Sequence, residues 1–158
     1  MEDKHTDGIS RGEKAEQLFL QGYNCAQAVF TAFADVIGIP AETAARVASS
    51  FGGGIGRLRE FCGAVGGAEM VLGAVMGYST PETGEIKAEH YARVQRLAQI
   101  FREEKGSYVC RELLGLDGAS SPIPAARTGE YYQSRPCPGL VRCAAEITER
   151  MLREAGKL

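Results

Sequence analysis

Residues 85–105 read EIKAEHYARVQRLAQIFREEK. Tyr91, Val94, Leu97, Ala98 and Phe101 fall three or four positions apart, so on a 3.6-residue helix they form one apolar stripe, with glutamate, arginine and lysine on the remaining positions. The same period runs outward in both directions. Towards the N-terminus, Cys62 to Gly77 is a run of small and apolar residues, and Glu42 to about Phe51 sets Ala44, Val47, Ala48 and Phe51 on one side. Before them, Cys25 to Ile37 carries Ala28/Val29, Ala32/Phe33 and Val36/Ile37, and Arg11 to Gln21 carries Ala15, Leu18 and Phe19. Towards the C-terminus a short helix can follow Ser107 and stop near Gly115, and Gly139 to about Glu154 aligns Leu140/Val141, Ala144, Ile147/Thr148 and Met151/Leu152. No stretch sustains the period-two alternation of a strand. The expected fold is all-α, a single-domain irregular helical bundle of about six or seven helices, spanning residues 11–158 behind a disordered tail at residues 1–10.

The chain has 158 residues, 44% of them apolar, which suffices for one substantial core. A net charge of −2 with dispersed lysine and arginine offers no basic field, so nucleic acid is not an expected partner. Cys62 to Gly77 is 16 residues long with Glu69 near its middle, too short and too charged to span a membrane. Its glycines and alanines suit close helix packing, within the subunit first and in a homodimer as the other use. The opening MEDKHTDG is polar and lacks the apolar core of a secretory signal, so a cytoplasmic location is expected, where thiols stay reduced.

Five cysteines stand at 25, 62, 110, 137 and 143. The first four coincide with signals for a helix start. Asn24 is a good N-cap before Cys25; Cys62 follows a glycine-rich stretch and opens a helical run; Ser107 can cap the helix of Cys110; and Pro138 suits the first turn after Cys137. A helix start presents free amides and partial positive charge, both of which favour a thiolate, so four activated sulfurs are expected. Cys62, beside flexible glycines and near Arg57 and Arg59, is the best candidate for an attacking sulfur, with Cys25 or Cys110 to resolve it. Cys143 lies six residues after Cys137, about 240° round the same helix, and reads as a buried small hydrophobe.

Two stretches are not helical in pattern. Phe51 to Phe61 bunches its glycines without the Lys-Ser/Thr of a phosphate loop or the spacing of a dinucleotide motif. Such glycines allow positive φ and exposed amides, which makes Gly53, Gly54, Gly56 and Gly63, with Arg57, candidates to cradle a sulfide or another anion; a plain connector is the alternative. Leu116 to Pro136 is 21 residues without a period, a lid over the cysteines walled by Tyr131 and Tyr132, or a disordered linker. His5 and His90 read as surface groups, and Glu60, Glu69 and Glu112 as solvated or salt-bridged rather than catalytic.

Gly22-Tyr23-Asn24-Cys25-Ala26-Gln27-Ala28, the Gly-Gly-Gly-Ile-Gly-Arg run of 52–57, Cys62-Gly63-Ala64-Val65-Gly66-Gly67, Cys110-Arg111-Glu112-Leu113-Leu114-Gly115 and Cys137-Pro138 with Ala144-Ala145-Glu146-Ile147 occur in order. Together they resemble the C_GCAxxG_C_C family of redox-active proteins over about residues 12–152, with counterparts of all four family cysteines. The resemblance implies a small helical cytoplasmic protein. More distantly, likeness to the cysteine-rich domain of split-Soret cytochromes implies an iron–sulfur cluster. Arg59 departs from the family pattern, where glycine often stands, and Cys143 is extra.

Three functions fit the residues, with cluster binding the leading one and the other two its alternatives. Cys25, Cys62, Cys110 and Cys137 can ligate one iron–sulfur cluster for electron transfer to a redox partner protein, although no C-x-x-C supplies a compact ligand loop. Without metal, the same four can act as redox-active thiols in disulfide exchange. The chain can also be a helical interaction module or metal chaperone without catalysis.

Overall fold

Helices dominate the computed structural model, which describes residues 8–81 and 84–158. His5 and most of the expected tail lie outside the described residues. Nine right-handed α-helices occur among those described: α1 (Arg11–Leu20), α2 (Cys25–Thr31), α3 (Ala34–Ile37), α4 (Ala41–Ala48), α5 (Gly63–Met76), α6 (Gly84–Lys105), α7 (Cys110–Leu114), α8 (Gly129–Ser134) and α9 (Cys137–Glu154). The only β-type pairing among the described residues is an isolated antiparallel bridge between Phe61 and Val109. The all-α fold is as the periodicity indicates.

The helix count exceeds the expected six or seven for two reasons. The segment expected as one helix over Cys25–Ile37 breaks at Ala32–Phe33, where Phe33 has φ −114° and ψ 12°. Arg11 takes up the carbonyl of Ala32 through Nη1 at 2.8 Å, and its guanidinium sits 5.5 Å from the Phe33 ring centre. The same guanidinium pairs with Asp35 at 2.6 and 2.9 Å, so one arginine serves both sides of the break. The second addition is α8, capped by Thr128, whose Oγ1 accepts from the Tyr131 amide inside the segment expected to be aperiodic.

The core gathers Phe19 of α1, Val29 and Phe30 of α2, Phe33, Val65, Val71 and Leu72 of α5, Leu97 and Phe101 of α6, and Val141, Ile147 and Leu152 of α9. α9 packs mainly on α1 and α5, and α2 on α5 and α4. The small residues of α5 serve packing inside the subunit. A Cβ at Gly67 would come within 2.7 Å of the Ala26 carbonyl, so glycine there sets how closely α2 and α5 approach.

Three apolar assignments change. Val47 and Phe51, expected on the buried face of α4, are exposed: α4 buries Ala44 and Ala48 but not Val47, and it ends at Ala48, so Phe51 falls in a 3₁₀ turn over Ser49–Phe51 and leaves the stripe. Tyr91 of α6 is exposed, while the neighbouring His90 is buried against Tyr78. His90 is thus not a surface group. Burial holds its pKa below the ordinary imidazole value, and Arg93 adds to the effect.

Candidate functional site

All four motif cysteines stand at helix starts. Cys25 is the first residue of α2, where the Asn24 side chain accepts from the Gln27 amide at 2.9 Å and the Gln27 side chain accepts from the Asn24 amide at 3.0 Å, a complete capping box. Cys62 is the N-cap of α5, and Cys110 and Cys137 open α7 and α9. Ser107 acts just before α7, its Oγ accepting from the Val109 amide at 2.9 Å.

The glycine-rich stretch between α4 and α5 is a left-handed turn. Gly53, Gly54, Ile55, Gly56 and Arg57 have φ of 69°, 68°, 67°, 56° and 69°, and Arg59 has φ of 61°. Glycine adopts these angles freely, whereas a β-branched residue such as Ile55 does so only under compulsion from its surroundings. The compulsion is a lacing of backbone bonds: the Glu60 amide to the Gly54 carbonyl at 3.0 Å, the Cys110 amide to the Glu60 carbonyl at 2.6 Å, the Arg111 amide to the Arg59 carbonyl at 3.0 Å and the Cys62 amide to the Tyr108 carbonyl at 2.8 Å. These bonds lock the segment carrying Cys62 beside the one carrying Cys110. Gly54 is packed so tightly that a Cβ would lie 2.6 Å from the Cys110 Cβ.

One cavity of about 270 Å³ is lined by Cys25, Cys62, Cys110 and Cys137 together. Gly53, Gly56, Arg57 and Gly63 also line it, whereas Gly54 lies behind the wall under Cys110. The 116–136 segment covers it as a lid, contributing Pro122, Pro124, Ala125, Arg127, Tyr131 and Arg135. Tyr132 is not a wall residue: it packs edge-on against Phe19 and donates its hydroxyl to the Leu20 carbonyl. Two arginines hold the lid at opposite ends. Arg127 donates to the carbonyls of Phe19 and Tyr23, both at 3.1 Å, and lies 4.3 Å from the Phe19 ring centre. Arg57 donates from Nε to the Ser121 carbonyl at 2.7 Å, and the Ser120 amide returns a bond to the Arg57 carbonyl at 2.9 Å. Neither lid anchor carries a sequence signal, because each acts across a long separation on backbone carbonyls.

The expected four activated thiolates reduce to one. Cys25 is lowered to about 7, first by hydrogen bonding with Cys137 and then, against the opposing cost of burial, by the Gly53 amide and the charge of Arg127. Cys62 is pushed up to about 12 by burial and by the neighbouring Cys25, although the Val65 and Ala64 amides work in the other direction. Cys137 is raised by its hydrogen bond to Cys25, by burial and by the other cysteines. Cys110 is raised by burial, offset in part by Arg59, whose Nη1 stands 3.7 Å from the sulfur. Cys25 is also the half-buried one while the other three are buried. Of the four, Cys25 alone is shifted towards the thiolate, and Arg59 reaches Cys110 rather than Cys62. The helix-start argument accounts for position but omits burial, which dominates at Cys62 and Cys110, and the Cys25–Cys137 interaction, which dominates at Cys137.

Elsewhere the pattern is mixed. Cys143 is buried, with its sulfur 3.0 Å from a Glu104 carboxylate oxygen, and does not line the cavity. Glu60 pairs with Arg111 at 2.8 Å and Glu112 with the Ser107 hydroxyl, as expected of non-catalytic carboxylates. Glu69 differs from expectation: both its oxygens are buried without a hydrogen-bond partner among the described residues, and burial pushes its pKa up to about 8. Among the described residues no group of three or more histidine, cysteine, aspartate or glutamate side chains is placed to hold a metal ion, and no helix is long and apolar enough to cross a membrane.

No curated protein and no solved structure matches this chain. A family model does, from Tyr23 to Met151, a span that holds all four cavity cysteines and the left-handed turn. The chain belongs to the C_GCAxxG_C_C family, described as putative redox-active proteins.

Proposed function

We propose that this chain is a thiol–disulfide oxidoreductase with Cys25 and Cys137 as its working pair. The observation that carries the reading is that Cys25 and Cys137 line one cavity, the first half-buried and the second buried, and that each is the strongest influence on the other's thiol, lowering Cys25 and raising Cys137. The Cys25 thiolate attacks one sulfur of a bound disulfide; the substrate S–S bond breaks, and the leaving thiolate takes up a proton. Cys137 then loses its proton and attacks Cys25 in the mixed disulfide, releasing the second substrate thiol. Two electrons pass to the substrate, two protons follow them, and an external dithiol, such as a redox partner protein in a reducing cytoplasm, returns Cys25–Cys137 to the thiol form. Thiol counting and mass mapping after oxidation test this: one bridge joining Cys25 to Cys137, with Cys25→Ser and Cys137→Ser each abolishing substrate reduction, is expected. A bridge between any other pair would overturn the assignment.

A second reading is favoured by all four motif cysteines facing the same cavity. Cys25, Cys62, Cys110 and Cys137 would hold an iron–sulfur cluster for one-electron transfer, with Gly53, Gly56, Arg57 and Gly63 flanking it. Loading would have to draw the sulfurs inward, since no three of them are placed for a metal ion. Purification without oxygen separates the two: iron with acid-labile sulfide and a broad visible band, lost in each of the four cysteine-to-serine variants, supports the cluster, and colourless, metal-free protein supports exchange.

A further inference from the structure

The cavity that carries the cysteines is electrically one-sided. Arg57, Arg59, Arg127 and Arg135 line it, and no aspartate or glutamate does. The starts of two long helices, α5 at Gly63 and α9 at Cys137, open onto the same space, adding the partial positive charge of their free amides.

The four guanidiniums are not equally occupied. Arg127 gives both terminal nitrogens to backbone carbonyls, and Arg59 is buried between Ser120 and Cys110. Among the described residues the Arg57 guanidinium donates only from Nε, and that of Arg135 donates to no acceptor and lies 5.4 Å from the centre of the Tyr131 ring. Arg57 is disfavoured in its charged form by burial and by the charges of Arg59 and Arg135, so it stands close enough to each of them to be repelled. Half-buried guanidiniums with unused donors and no carboxylate partner are matched by an anion.

We infer that the disulfide reduced in this cavity is a small anionic one, whose acid group binds Arg57 and Arg135 while its sulfur meets Cys25. The inference rests on the exchange reading and adds the substrate class to it. A volume of about 270 Å³ suits a low-molecular-mass disulfide rather than a folded protein segment. The Tyr131 ring and the side chains of Leu113 and Leu114 would cover the aliphatic part of the molecule.

Three disulfides of similar size and different charge test it: dithiodipropionate, which is anionic, bis(2-hydroxyethyl) disulfide, which is neutral, and cystamine, which is cationic. The readout is the rate at which each oxidises the reduced protein, corrected by its rate with a free small-molecule thiol. The anionic compound is expected to react about tenfold faster than the neutral one, with the cationic one slowest and the spread narrowing as salt rises. Arg135→Gln is expected to collapse the anionic-to-neutral ratio towards one, while Arg135→Lys, which keeps the charge, retains most of it. Equal corrected rates for the three compounds, or a ratio indifferent to Arg135→Gln, would overturn the inference while leaving the exchange reading intact. Failure of Cys25 to react with all three would instead remove the exchange reading, and this inference with it.

Discussion

Arg127 lies over the ring of Phe19 with its guanidinium carbon 4.3 Å from the ring centre, and passes both terminal nitrogens to carbonyls at the end of α1. One side chain thus fastens the lid by stacking and by hydrogen bonds at once. Arg127→Ala is expected to destabilise the fold by about 2 kcal/mol and to speed proteolytic cutting between Leu116 and Pro136. Stability by denaturant titration together with a cleavage time course checks both; an unchanged cleavage rate would mean that the lid is held elsewhere.

The Cys25 thiol, lowered to about 7, should be the first alkylated. Its rate with iodoacetamide should rise to half its plateau near pH 7, whereas Cys62, pushed up to about 12, should stay slow to well above pH 9. Cys137→Ala removes the group that does most to favour the Cys25 thiolate and should move the Cys25 profile to higher pH. Mass-resolved alkylation across a pH series reads this directly, and a leading reaction at Cys62 would reverse the assignment.

Glu69 links stability to pH. Its folded pKa, about 8, exceeds the ordinary 4.5, so the folded chain binds the proton more tightly than the unfolded one. Its favourable contribution is therefore complete below about pH 4.5 and is lost as pH rises through about 8. Glu69→Gln should change little near pH 4 and should stabilise the protein by about 2 kcal/mol at pH 9. Thermal unfolding of the two proteins over that range should show curves that diverge with pH; parallel curves would show that Glu69 is solvated.

Gly54 has φ +68° and no room for a methyl group between Cys110 and the backbone of Arg59 and Glu60. Gly54→Ala should cost about 2–4 kcal/mol, more than Gly56→Ala, which meets the same backbone demand with open space around it. The difference between the two isolates the packing cost under Cys110. Equal losses would assign the whole effect to the left-handed backbone.

The cysteine positions were legible because helix starts have local chemistry: Asn24 with Gln27 before α2, Ser107 before α7, and the prolines around Cys137. The stripes of α6 and α9 were legible for the same reason, their period being a property of neighbours in sequence. What local reading missed depends on distant partners. The break at Phe33 is served by Arg11, the segment that holds the left-handed run is laced through residues 59–62 to residues 108–111 and through Arg57 to Ser120, and His90 packs against Tyr78. Which thiol is acidic could not be read either, because it depends on the Cys25–Cys137 interaction and on how deeply each sulfur is buried, and both are set by tertiary packing.

Cys25 opens the second helix of the chain and Cys137 the ninth, so a bond between them would enclose most of the polypeptide in one covalent ring. In the chain-entropy picture a ring of this length stabilises the folded state by roughly 4–5 kcal/mol. Oxidised and reduced protein would then melt at temperatures on the order of ten degrees apart. The pair would act as a staple as well as an electron store, and the melting curve alone would report which form is present.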